Sequence, residues 1–217
     1  MRTAYHAELD SYTSGLAELL DLARSAITRA TTALMETDDS VAAEVIAGEE
    51  AIHRRHHRLD DEALTLLARQ QPVATDLRLL VAGLRVSSDL ERMGILARHI
   101  AELVRERYPR PVLPDSMNGI VSAMGDIAQR LAREARSALE SLDATTATAL
   151  ATEDDEMDRL QQALYRQVLE SGEGTDLRTG MDVVQLGRYY ERFADHAVSV
   201  GKRVAFIVGG HATKSPA

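Results

Sequence analysis

Between residues 183 and 207 apolar side chains return in alternating steps of three and four: Val183, Leu186, Tyr190, Phe193, Ala197, Val200, Val204 and Ile207. That is the spacing of a helical seam packed against neighbouring helices. Gly83, Val86, Leu90, Met93, Ala97, Ile100 and Val104 repeat it earlier in the chain, and Leu150, Met157, Leu160, Leu164 and Val168 form a stripe of similar period. Proline stands only at 72, 109, 111, 114 and 216, which leaves three long tracts that helices can occupy unbroken. The pattern predicts six helices, over about residues 4–36, 40–69, 75–107, 115–142, 144–170 and 175–208. Thr37-Asp38-Asp39 reads as turn and cap between the first two. Thr75 and Thr175 read as the caps that open the third and sixth, with Asp76 and Asp176 favoured by the helix dipole. Tyr108-Pro109-Arg110-Pro111-Val112-Leu113-Pro114 predicts a stiff, extended connector, since each proline also pushes its predecessor out of the helical region. Ser171-Gly172-Glu173-Gly174 reads as a loop, and the chain end as a frayed tail.

The seams recur because the chain repeats itself. Thr75-Asp76-Leu77-Arg78 returns as Thr175-Asp176-Leu177-Arg178, and Glu91-Arg92 as Glu191-Arg192, both 100 residues on. Upstream the shift is 105, pairing Ala33-Leu34 with Ala138-Leu139, Asp38 with Asp143 and Ile52 with Met157. Collinear matches over three successive helices identify a duplicated unit. The expected fold is all-α: two tandem three-helix bundles related by internal duplication. The first repeat spans 1–108, a proline-rich connector 109–114, the second repeat 115–208 and the tail 209–217.

Composition narrows the function. Aromatics are 4% of the 217 residues and tryptophan is absent, which favours helices over strands. A formal net charge of −9 argues against nucleic acid as a partner. Without cysteine there is no disulfide or thiolate chemistry. No apolar run reaches about 18 residues and the first residues lack the apolar core of a signal peptide, so a cytoplasmic protein without membrane insertion is expected.

Two acidic pairs are candidates for chemistry. Glu191 and Asp195 stack on one helical face, roughly 5–6 Å apart at Cβ, and at about 100° per residue they lie opposite the seam, looking outward. Asp154 and Asp158 form a similar pair at the edge of the preceding helix's stripe. Together they could offer four carboxylates to a divalent cation or to iron. The solvated-surface reading carries more weight for either pair alone, because 34 acidic residues produce several such pairs by chance. The first repeat differs: Glu91 is followed four later by Ile95, and the earlier helix offers Glu49, His53 and His57 on one face, with metal-ligand spacing but only a weak signal. Glu50-Ala51-Ile52-His53 matches one element of di-iron bundles, yet the second such element and the inward glutamates are missing. Arg188 and Lys202 share the outward face of Glu191, where ion pairing within the helix is the default account and phosphate binding the lesser alternative. No Walker loop, nucleophile elbow or zinc-protease signature is present.

These features together resemble the PhoU family. Val45-Ile46-Ala47-Gly48-Glu49-Glu50, Gln71-Pro72-Val73-Ala74-Thr75-Asp76-Leu77-Arg78 and Asp89-Leu90-Glu91-Arg92-Met93-Gly94 look like its first repeat. Glu153-Asp154-Asp155-Glu156-Met157-Asp158 and Tyr190-Glu191-Arg192-Phe193-Ala194-Asp195-His196-Ala197 look like its second. The similarity runs over about residues 5–208, in the form seen in actinobacterial members. It implies a non-enzymatic negative regulator of the phosphate-starvation response and of phosphate uptake. Such a protein couples the ATPase component of a high-affinity phosphate ABC transporter to a sensor histidine kinase, with a homodimer expected. It further implies iron or zinc on surface motifs that match Asp154, Asp158, Glu191 and Asp195, and less completely Glu49, His53 and Glu91. The competing class is a metal-dependent enzyme acting on phosphate esters or polyphosphate, for which the sequence supplies neither nucleophile nor base.

Overall fold

The computed structural model describes residues 2–142, 144–171 and 176–209, with the side chains of residues 2–4, 144–149 and 151–154 outside the description. The helices are α1 (Arg2–Glu36), α2 (Asp39–Gln70), α3 (Ala74–Arg107), α4 (Asn118–Ser141), α5 (Ala144–Glu170) and α6 (Leu177–Gly209), and no strand occurs among the described residues. The expected start of α4 at Asp115 is a separate 3₁₀ turn, Asp115–Met117. Helix α6 runs through Gly209, and residues 210–217 of the expected tail lie outside the described residues.

Side-chain caps explain the starts of α2 and α6. The Asp38 carboxylate accepts the Ser40 and Val41 amides at 2.8 and 3.0 Å and opens α2. At α3 the expected cap is corrected: Val73 holds the cap position without a side-chain bond, and the Thr75 hydroxyl instead accepts from Arg78 at 3.0 Å. Asp176 carries the cap of α6, its carboxylate accepting the Thr179 amide at 3.1 Å, while Thr175 lies outside the described residues. The connector, expected to be extended, instead turns and bends, the Arg110 amide donating to the Arg107 carbonyl at 2.9 Å, and it is not a free linker, because Val112 and Leu113 are buried.

Every position of both seams is buried, Val183 to Ile207 on α6 and Gly83 to Val104 on α3. The seams do not close two separate cores. Helices α3 and α6 pack together, as do α1 and α4, while α2 packs chiefly on α1 and α3 and α5 on α4 and α6, each against its own repeat. Apolar side chains from all six helices merge in one cluster. Across the junction the Tyr190 and Thr31 hydroxyls lie 2.8 Å apart. The Thr31 hydrogen already goes to the Ile27 carbonyl, so Tyr190 donates. Asp21 accepts from Arg136 at 2.7 Å, and Arg107 faces Asp182 at 3.4 Å. Close approach needs glycine: a Cβ on Gly83 would meet the Tyr12 hydroxyl at 2.5 Å.

Candidate functional site

Glu191, Asp195 and Asp158 are brought towards one another on α5 and α6, but their exposure differs. Asp158 and Asp195 are exposed, whereas the Glu191 side chain is only 14% exposed. The outward placement expected for Glu191 is therefore corrected. One turn earlier, at Gly187, a Cβ would stand 3.1 Å from Leu164 and 3.2 Å from Tyr165, so α5 lies close over that flank of α6. The amide of Gln161 reaches the Gly187 carbonyl at 3.4 Å on the same side. Both Glu191 oxygens accept from the Arg188 guanidinium, at 3.1 and 3.0 Å. Burial raises the Glu191 carboxyl above its ordinary range, Asp195 and Asp158 push it further, and Arg188 offsets part of the rise. The Asp154 side chain lies outside the described residues.

In the first repeat the structure bonds His53 to Glu91, whereas Glu49 acts on His53 only through its charge. The His53 Nδ1–H donates to Glu91 at 2.7 Å, and this bond holds the imidazole above its usual range. Glu49 instead faces Arg98 at 3.7 Å. The other Glu91 oxygen stands 3.5 Å from His56 Nε2. His56 escaped sequence reasoning, although it occupies the apolar stripe of Ile52, Leu59, Ala63 and Leu66 and is buried with them. Its Nδ1 bonds the buried Ser87 hydroxyl at 2.7 Å, and Asp60 lies 3.7 Å from its Nε2. His57 reaches back to His53 at 3.1 Å. Among the described residues, no group of three or more such side chains is arranged to hold a metal ion.

Asp89 was also missed as a functional position. Its side chain, 12% exposed, accepts from His196 Nδ1 at 3.1 Å and from Arg203 Nε at 2.7 Å, which ties the two repeats together. Local sequence gives no sign of this pairing, since its partners lie on the other copy.

The comparisons with known proteins agree with this architecture. The sequence model of the PhoU domain matches residues 16–104 and 121–204. The phosphate-specific transport system accessory protein PhoU homolog 2 of Mycobacterium tuberculosis is 40% identical over 210 residues, covering 97% of this chain and 99% of that protein. The crystal structure of PhoU from Pseudomonas aeruginosa matches with a TM-score of 0.87 at 27% identity, over 95% of this chain and 100% of that one. The phosphate transport system regulatory protein PhoU from Streptococcus pneumoniae shares the fold, with a TM-score of 0.89 at 23% identity over 97% of this chain and 100% of that chain.

Proposed function

This chain belongs to the PhoU family, and from that premise we propose that it is a phosphate-transport accessory protein acting as a negative regulator of the phosphate-starvation response. In this reading it couples the ATPase component of the phosphate ABC transporter to a sensor histidine kinase, works as a homodimer in the cytoplasm and carries no catalytic activity of its own. The observation that carries the reading is likeness over 97% of the chain, both repeats included, to a relative named as a phosphate-specific transport system accessory protein. Among the described residues no helix is long and apolar enough to cross a membrane. The test is a deletion strain grown in phosphate-rich medium. Phosphate-uptake genes should stay on and return to repression on complementation. Normal repression in a strain without a second copy overturns the reading.

We propose also that Asp154, Asp158, Glu191 and Asp195 take iron or zinc, and that Glu49, His53 and Glu91 take it less well. The support is one of charge: Glu191 is partly covered and its charged form is disfavoured beside Asp195 and Asp158, a cost that a bound cation would relieve. The described carboxylates do not form a ready cage. In the first repeat Arg98 already faces Glu49 and Ile95 offers no donor. Elemental analysis after metal-replete purification should find metal that E191A/D195A loses and E49A largely retains; equal loss from both overturns the asymmetry.

A further inference from the structure

Where α3 and α6 pack, one end of their groove opens into a cleft of about 220 Å³. Val81 and Phe206 form its apolar part, and Arg85, Ser199, Lys202 and Arg203 its polar part; among the described residues no carboxylate lines it. Three cations share this small space in a chain of net charge −9. Arg203 is neutralised by Asp89 through its Nε, which leaves its terminal N–H groups as donors. Arg85 and Lys202 are exposed and neither has a carboxylate partner among the described residues, so Lys202 lacks the intrahelical ion pair expected for it. The cleft therefore carries two uncompensated positive charges, one from each repeat.

The fold does not require this arrangement. Under the internal repeat Arg85 corresponds to Gln185, Lys202 to Glu102, Arg203 to Leu103 and Phe206 to Glu106. The equivalent end of the groove carries the acids Glu102, which faces Arg98 at 3.5 Å, and Glu106, and burial together with these two raises the Tyr189 hydroxyl there. One packing thus presents opposite charge at its two ends, and the basic end belongs to these residues rather than to the architecture.

We propose that this cleft binds a small phosphate dianion, orthophosphate, clamped between Arg85 of the first repeat and Lys202 of the second. Two unpaired cations match its charge, and a guanidinium fork matches its oxygens. The Ser199 hydroxyl and the free donors of Arg203 supply further contacts. The volume lies below the range of about 300–1,000 Å³ typical of larger organic ligands, which favours a small ion over a nucleotide. Because the ligand spans both repeats, its binding stabilises the α3–α6 pairing. This adds a ligand to the regulatory reading and does not depend on it.

Isothermal titration of the full chain with orthophosphate, at constant ionic strength, tests the site. Saturable binding of one ion per chain is expected. Loss of two charge-assisted contacts in R85A/K202A should weaken it by about a hundredfold, while E106Q at the acidic end leaves it unchanged. Both substituted side chains are exposed, so circular dichroism should match the parent; R85Q alone serves if the double variant fails to fold, and should weaken binding about tenfold. Absence of saturable binding at millimolar orthophosphate, or equal binding by the variants, overturns the proposal. Sedimentation with phosphatidylglycerol vesicles separates the source: capture that depends on Arg85 and Lys202, without orthophosphate binding, would assign the cleft to a lipid headgroup and overturn it as well.

Discussion

Replacing Asp89 by alanine tests how firmly the two repeats are joined. Its carboxylate is nearly buried and accepts from His196 and from Arg203, both on the other repeat. A hydrogen bond to a charged group contributes about 1.5–3 kcal/mol, and removing one member of a fully buried ion pair costs about 3–5 kcal/mol. Here the stranded partners are 18% and 29% exposed and can partly rehydrate. The expected loss is therefore about 2–3 kcal/mol. For a chain of this size that lowers the unfolding midpoint by roughly 5–10 °C. D89N keeps an acceptor and should lose about half as much. The pH dependence has a definite sign. Burial pushes the Asp89 carboxyl up, but the bonds from His196 and Arg203 together outweigh it and hold it below its ordinary 3.8. The stabilisation is then complete above the unfolded-state value and lost as pH falls through the lower folded value. The gap between parent and D89N, measured by thermal and urea unfolding, should be constant near neutrality and close in strong acid. A D89A loss under about 0.5 kcal/mol, the level of an ordinary surface change, would refute the reasoning. So would a D89A/R203A double-mutant cycle without coupling.

Three further outcomes are expected. Y190F removes the bond that Tyr190 donates to Thr31 across the repeats, and chemical denaturation should register a loss of about 1 kcal/mol with little change in slope; an unchanged midpoint would count against that bond. G83A drives a methyl group into the Tyr12 hydroxyl and should cost about 1–3 kcal/mol in the same assay, whereas a gain in stability would show that Tyr12 moves aside. The His53 imidazole, followed by NMR, should titrate above 6.5 and fall back towards it in E91Q, because the imidazolium is favoured by Glu91; that contribution is present below 6.5 and is lost as pH rises through the higher folded value. A midpoint unmoved by E91Q would show that the bond does not form in solution.

The helices, both seams, the duplication and the Asp38 cap were legible in the sequence because each rests on local or periodic information. Apolar spacing reports which side of a helix is buried, and a repeat reports that two units share a design. Neither reports what lies against the polar flank. Glu191 reads as outward on a helical projection, yet Gly187 lets α5 cover it; Glu49 and His53 share a face, yet Arg98 takes one and Glu91 the other. Asp89 reads as one more acid until α6 brings His196 and Arg203 to it from over 100 residues away. The basic cleft is further from local view still, since Arg85 and Lys202 meet only when the two repeats pack antiparallel along α3 and α6. The sequence by itself determined the elements and their buried faces, which follow from short-range spacing. Tertiary structure alone decided which charges are paired, covered or left free, because that depends on the partner each polar flank meets.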